Sequence, residues 1–222
     1  MRRKTLLSWS SGKDSAWALH VLRRRSDVDV AGLFCTVNSE FKRVAMHAVR
    51  VDLLQEQAKS VGLPLYIIEI PYPCSNADYE KAMTLFVDEA KRQGVECFAF
   101  GDLFLEDVRS YRENRLKDTG IIPLFPIWGI PTKELSDTMV GCGLKAMITC
   151  IDPKSLAEEF AGREYNESFL AEIPENVDPC GEYGEFHSFA FDGPMFQYPI
   201  EITLGDIAHR DGFVFADLLP SK

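Results

Sequence analysis

Over about its first 150 residues the chain alternates short β-rich runs with stretches of helical periodicity, and this alternation restricts the fold more than any other feature. Val28 to Val37 carries no charge after Asp29, as expected of a strand covered on both faces of a parallel sheet. From Val44 to Val61, the residues Val44, Ala48, Val51, Leu54, Ala58 and Val61 recur three or four apart and the pattern stops at Gly62 and Pro64, which predicts an amphipathic helix. Thr5 to Trp9, Leu65 to Ile70, Cys97 to Phe100, Ile121 to Trp128 and Lys145 to Cys150 read as further strands. Helical spacing of Tyr79, Met83, Phe86 and Ala90 runs to Gly94; Glu106 to Asp118 and Thr132 to Val140 complete the set of helices. The expected architecture is α/β, a doubly wound, Rossmann-like parallel sheet over residues 1–150. A smaller α+β subdomain over 151–222 is expected to follow. In it, short helical segments near Ser155 to Phe160 and Glu167 to Ile173 precede a Pro/Gly/Asp-rich stretch, and Phe186 to Phe191 and Tyr198 to Leu204 read as strands.

Charge narrows the partners. With 24 Lys and Arg against 34 Asp and Glu, the formal charge of -10 gives no general attraction to nucleic acid or to an anionic membrane. The apolar run behind Met1-Arg2-Arg3-Lys4 is too short for a signal segment, and no other window approaches a membrane span. Cys35, Cys74, Cys97, Cys142, Cys150 and Cys180 are scattered without a CxxC pair, the usage of a reduced, cytoplasmic protein.

Between the first strand and the first helix stands Ser10-Ser11-Gly12-Lys13-Asp14-Ser15. A turn of hydroxyls, Gly and Lys at a helix N-terminus can surround an anion with backbone N–H groups and side-chain donors, which points to a nucleotide phosphate. The competing reading of Ser11 to Asp14 is a capping box that satisfies the helix end alone. Neither GxxxxGK[ST] nor GxGxxG occurs. In an open parallel sheet ligands sit beyond the carboxyl ends of the strands, so the turn, Thr36 with Asn38, and Gly101-Asp102 are expected to share one site.

A second constellation, Asp178-Pro179-Cys180-Gly181-Glu182-Tyr183-Gly184-Glu185-Phe186-His187-Ser188, gathers acids and a His between glycines ahead of a strand. The alternatives are a charged turn, or a metal site of Cys180, Glu182, Glu185 and His187 whose spacing fits no standard zinc pattern. Arg109, Arg112 and Arg115 fall near one face of a helix; they read as a solvated face paired with Glu106 and Glu113, against the competing idea that one of them reaches a phosphate or an acidic partner. Trp9, Trp17 and His20 read as packing residues, and His47 as a residue at the ligand end.

The strand, SxGxDS turn and helix resemble the PP-loop members of the adenine nucleotide alpha hydrolase superfamily, whose usual form is SGGxDS; here Ser11 replaces the first Gly. Together with Gly181 to Ser188, the trailing Asp192-Gly193-Pro194, Met46-His47 downstream of Thr36-Val37-Asn38, Tyr111-Arg112 and Pro126 to Trp128, the chain resembles the diphthine-ammonia ligase family over nearly its whole length. The resemblance implies ATP-dependent amidation, with ATP cleaved to AMP and pyrophosphate, a carboxylate adenylated and ammonia transferred to it. In organisms that make diphthamide the acceptor is on translation elongation factor 2. It implies that Ser10, Ser11, Gly12, Lys13, Asp14 and Ser15 hold the triphosphate. Lys13 would counter charge on the leaving pyrophosphate, Asp14 would help place Mg²⁺, and Glu182, Glu185 and His187 would face the acceptor. No glutaminase segment is recognised, so free ammonia or a separate donor is expected. The other readings are a PP-loop enzyme that modifies tRNA, and an ATP-binding regulatory module without chemistry.

Overall fold

The structure, a computed structural model, describes residues 1–44 and 49–221. Met46, His47 and Ala48, on which the sequence reading drew, lie outside the described residues. The first sheet is built from β1 (Arg3–Ser8), β2 (Val28–Asn38), β4 (Leu65–Ile70), β5 (Cys97–Ala99) and β6 (Ile122–Leu124), all parallel, in the order β4-β2-β1-β5-β6. The two-residue β3 (Arg43–Val44) pairs antiparallel with the end of β2. Chain order runs outward from β1 to β4 and then jumps back to β5. The strand order therefore reverses between β1 and β5, where their carboxyl ends open a crevice.

Helices cover both faces, as β2, without a charge after Asp29, requires. α1 (Lys13–Arg23) and α2 (Val51–Val61) pack one face; α3 (Asn76–Arg92) and α4 (Glu106–Leu116) enclose Phe34, Phe98 and Phe100 on the other. The expected helix from Val44 is shorter than its periodicity suggested. Val44 belongs to β3, and the helix begins after Arg50 in extended backbone. Its stop is as read: Gly62 takes φ 68° and donates to the carbonyls of Ala58 and Lys59.

The sixth strand corrects the expectation more substantially. β7 (Lys145–Ile151) follows α5 (Thr132–Gly141) but joins a separate antiparallel sheet, between β9 (Phe186–Asp192) and β11 (Phe213–Pro220), with β8 (Glu164–Tyr165) beside it and β10 (Ile202–Arg210) at the far edge. An apolar run such as Lys145 to Cys150 does not specify the direction of its neighbours. Of the two expected helical segments in this part, the first is only a 3₁₀ turn at Glu158–Phe160 and the second is α6 (Glu167–Glu172). The strand expected at Tyr198 to Leu204 starts later, and β11 was not anticipated. A usable signal existed: Asp211 and Gly212, both at positive φ, form the two-residue hairpin between β10 and β11.

The second sheet is joined to the first by specific bonds as well as by a continuous apolar cluster running from α1 and α2 into Ile148, Phe186 and Phe189. The Ala190 N–H donates to the Ser11 carbonyl at 2.9 Å. Fully buried Gln57 on α2 donates to the same carbonyl at 2.9 Å and to the Ala190 carbonyl at 2.6 Å, and accepts from the Trp9 indole at 2.8 Å. On the opposite side Arg50 grips Asp217 of β11 through both carboxylate oxygens, at 3.2 and 2.6 Å, and Arg43 adds a bond at 2.9 Å. Burial pushes the Asp217 carboxyl up, but the two arginines outweigh it and hold the group below its ordinary value.

Replacing Gln57 with Leu removes three buried hydrogen bonds at this joint while nearly conserving volume. The expected loss is about 2–3 kcal/mol in urea unfolding followed by tryptophan fluorescence. A loss under about 0.5 kcal/mol would mean that Gln57 does not tie the two sheets together.

Candidate functional site

The turn after β1 is prefolded. Ser10 Oγ donates to Ser15 Oγ at 3.3 Å and accepts the Gly12 N–H at 3.4 Å, while Ser15 Oγ donates to the Gly12 carbonyl at 2.9 Å. Gly12 is the N-cap residue of α1 and no side chain caps it. The capping-box alternative is not realised: Ser11 Oγ is buried with no partner among the described residues, and Asp14 turns to Lys13. Of the first-turn N–H groups of α1, that of Lys13 is taken by Ser188 Oγ, and those of Asp14 and Ser15 have no acceptor inside the helix and face outward as donors.

Ser11 itself stands at φ 70°, in the left-handed region that glycine enters without cost. This accounts for the glycine of the usual turn pattern. Here a serine occupies the position with its hydroxyl turned into the protein, fully buried.

Lys13 is 2% exposed, and its ammonium is the electrostatic centre of the site. Nζ donates to Asp14 Oδ2 at 2.9 Å and to the Cys180 carbonyl, and lies 5.2 Å from the centre of the Phe186 ring and 5.5 Å from that of Tyr165. Burial alone would lower its pKa; Asp14, Cys180 and Glu182 together raise it above the ordinary lysine value, so the amine is charged. Burial raises the Asp14 carboxyl, an effect that Lys13 only partly offsets. Asp14 Oδ1 is buried without a partner among the described residues.

The turn from Asp178 to Glu185 reaches this ammonium from the second sheet. Asp178 Oδ1 accepts the N–H groups of Cys180 and Glu182, and its Oδ2 accepts the Thr132 hydroxyl at 2.6 Å. Gly181 has φ 70°, and a Cβ there would lie 2.8 Å from the Phe186 carbonyl. Glu185 has a different job from the one expected. Its two oxygens accept the N–H groups of Asp178 and Tyr183, each at 3.0 Å, so it holds the turn and does not face the cleft. Cys180 Sγ likewise donates to the Thr132 carbonyl, and burial pushes its thiol up to about 12. These two groups therefore do not converge with Glu182 and His187 on a metal.

Glu182 and His187 do enter the cleft, a cavity of about 270 Å³ that also meets Ser10, Lys13, Asp14, Ser15, Gly101, Asp102 and Ser188. Glu182 accepts the Leu103 N–H at 2.9 Å; burial is the main cause of its rise to about 7, with Asp14 and Asp102 adding to it. Burial, with the Lys13 charge, lowers His187 to about 4, so its imidazole is neutral at pH 7. Ser188 Oγ accepts the Lys13 backbone N–H at 3.2 Å. Gly101 is as close to α1 as backbone allows, since a Cβ there would sit 3.0 Å from atoms of Asp14 and Ser15.

Thr36 lines an adjoining cavity of about 410 Å³ with Phe34, Ile70, Asn76 and Tyr79, and this cavity shares Ser8, Ser10, Phe100 and Arg112 with the cleft. Ser11, Gly12 and Glu185 lie behind the walls. The three arginines part company: Arg109 pairs with Glu113 and lies over Phe125 and Trp128, Arg115 pairs with Glu80, and Arg112 turns to the site. Trp9, Trp17 and His20 are buried packing residues, with the His20 ring stacked on Trp17 at 4.6 Å. Gln57 was not recognised from sequence, because a polar residue inside an amphipathic pattern gives no sign of where its amide is used.

An open parallel sheet with its cleft at the reversal of strand order, and a hydroxyl-rich, lysine-bearing turn opening α1 into it, is the architecture of proteins that bind their ligand at a helix N-terminus. Sequence comparison gives the family. The diphthamide synthase N-terminal domain matches residues 3–123 and the diphthamide synthase C-terminal domain residues 131–216, and the chain belongs to the diphthamide synthase family. It is similar to diphthine–ammonia ligases: 24% identical over 191 residues to those of Homo sapiens and Bos taurus, covering 79% of this chain and 70% of each relative. The Danio rerio protein is 27% identical over 180 residues, covering 72% and 68%. No helix among the described residues is long and apolar enough to cross a membrane.

Ser11→Gly should stabilise the fold by about 0.5–1 kcal/mol, because it removes both the left-handed strain and a buried unpartnered hydroxyl. That corresponds to a thermal midpoint about 2–4 °C higher per kcal/mol for a chain of this size, measured by calorimetry without ligand. A lower midpoint would show that the hydroxyl is bonded in solution.

Proposed function

We propose that the chain is an ATP-dependent amide ligase that adenylates a carboxylate, releases pyrophosphate and transfers ammonia. The observation that carries this reading is the meeting of the α1 turn with Glu182 and His187 around one cleft. A nucleotide-holding element and an acid/base pair contributed from the second sheet are what a two-step ligase needs within reach of each other. The names of the relatives support diphthine as the acceptor, which would be carried on elongation factor 2. Functionally, residues 1–150 would supply the nucleotide-binding part and 151–222 the acceptor-facing part, even though β7 pairs within the second sheet.

In the first step, an oxygen of the acceptor carboxylate attacks the α-phosphorus of ATP. The bond from that phosphorus to the α,β-bridging oxygen breaks, and its electron pair leaves with pyrophosphate. Ser10, Ser15 and the N–H groups of Asp14 and Ser15 bind the phosphates; the fixed charge of Lys13 offsets that of the leaving group. Magnesium fits this donor set, since Asp14 has one oxygen committed to Lys13 and one without a partner among the described residues, and Mg²⁺ takes one or two carboxylates beside phosphate oxygens. When bound, it supplies further neutralisation of phosphate charge.

In the second step, ammonia attacks the acyl carbon, the nitrogen loses a proton, and the bond from that carbon to the AMP oxygen breaks. Glu182 is suited to take the proton. Its carboxyl at about 7 is a far better base than an ordinary glutamate and is half ionised at neutral pH. His187, neutral down to about pH 4, offers a ring nitrogen to orient the incoming ammonia.

Incubation with ATP, Mg²⁺, ammonium and diphthine-bearing elongation factor 2 should yield AMP, pyrophosphate and an amide detectable by mass spectrometry. Release of ADP and orthophosphate, or no turnover, would sink the ligase reading. The sign of the pH dependence follows from Glu182: its base form appears as pH rises, so with free NH3 rather than total ammonium held constant, the logarithm of the rate of amide formation should climb with unit slope up to about pH 7 and then level. Glu182→Gln should retain acceptor-dependent ATP–pyrophosphate exchange within about threefold while amide formation drops about 10²-fold or more.

A further inference from the structure

Arg112 stands where the two cavities of the site meet. It lines the cleft over α1, the adjoining cavity beside Thr36, and a third cavity between α3 and α4. Its guanidinium lies over the Phe100 ring, 4.8 Å from the ring centre, and is tethered by a hydrogen bond from Nε to Asp102 Oδ2 at 3.3 Å. Phe100 is itself shared by the cleft and the Thr36 cavity, so the arginine lies on a fixed platform. The side chain is 28% exposed, which leaves part of its five-donor fork open to the site. Arg109 and Arg115 on the same helix are engaged with Glu113 and Glu80.

The neck shared by cleft and cavity is formed by Ser8, Ser10, Phe100 and Arg112. A nucleotide whose terminal phosphates lie on the α1 turn and whose nucleoside lies between Phe34, Ile70 and Tyr79 must thread its α-phosphate through this neck. Glu182 and His187 line the cleft into which this neck opens. We infer that Arg112 is the residue that clamps the α-phosphate, its planar fork stabilising charge on the equatorial oxygens as the acceptor carboxylate attacks and pyrophosphate leaves.

Lys13 cannot fill this role, because its ammonium is already tied to Asp14 and the Cys180 carbonyl. A planar, bidentate donor suits a phosphorus centre carrying two non-bridging oxygens better than a point charge does. Asp102 sets the fork's orientation through its single contact and competes little for the outer nitrogens.

The inference rests on the adenylation reading, and acceptor-dependent ATP–pyrophosphate exchange separates the two. Absence of exchange in the unaltered protein would defeat the ligase reading and this inference with it. If the unaltered protein exchanges, Arg112→Ala should lower the maximal exchange rate about 10²–10³-fold, as loss of a transition-state donor does, while the KM for ATP changes less than about fivefold. Arg112→Lys should recover only part of the rate, and millimolar methylguanidinium should partly restore the Ala variant. Thermal midpoints of both variants within a few degrees of the parent would assign the loss to the missing fork. An Ala variant that exchanges within threefold of the parent, or one whose loss appears wholly in KM, would overturn the assignment. Should Arg112→Ala unfold, the Lys variant decides by the same two criteria.

Discussion

A charged lysine buried at the junction of two sheets organises this protein. An ammonium taken out of water is costly unless it is paired and hydrogen-bonded, and Lys13 has both forms of compensation: a carboxylate from its own helix and a carbonyl from a turn far along the chain. Two aromatic faces complete the shell. Each half of the molecule thus holds something the other requires. The α1 turn needs the Cys180 carbonyl to accept a proton of the amine, and the 178–185 turn needs the amine as the donor around which it folds. Burial is the main cause of both neighbouring shifts: it depresses His187, with the Lys13 charge adding to it, and it raises Glu182, where Asp14 and Asp102 add to the rise and Lys13 opposes it.

Much of the fold was legible because the first sheet obeys local rules. Apolar, β-branched runs, three-and-four spacing and glycine stops identify β2, β4 and the end of α2. The second sheet was less legible because antiparallel strands of mixed exposure carry weaker patterns. β10 is exposed along most of its length and contains Gly205 and Asp206, so its alternation is blurred, and only the Asp211-Gly212 turn marks the hairpin.

The site was legible as residue types and much less so as orientations. Ser10, Lys13, Asp14, Ser15, Gly101, Asp102, Glu182 and His187 meet as a group. Glu185, three residues after Glu182 and similar to it in every local respect, points the other way because the positive φ at Gly184 reverses the chain between them. Ser11 shows the converse. Its chemistry suggested a ligand donor, but its backbone conformation directs the hydroxyl inward. Both outcomes depend on single backbone angles, which residue spacing does not encode.

The bond from the Lys13 backbone to Ser188 spans 175 positions, and that from Ala190 to Ser11 is longer-range still. Closing such loops costs entropy, so the turn after β1 is held in its final geometry only once β9 has docked against it. A chain interrupted before β9 therefore keeps the Ser10 to Ser15 turn without the bonds from Ser188 and Ala190 that shape it. The shape of the turn is thus a property of both sheets together, and a fragment that carries the first sheet alone would not hold it.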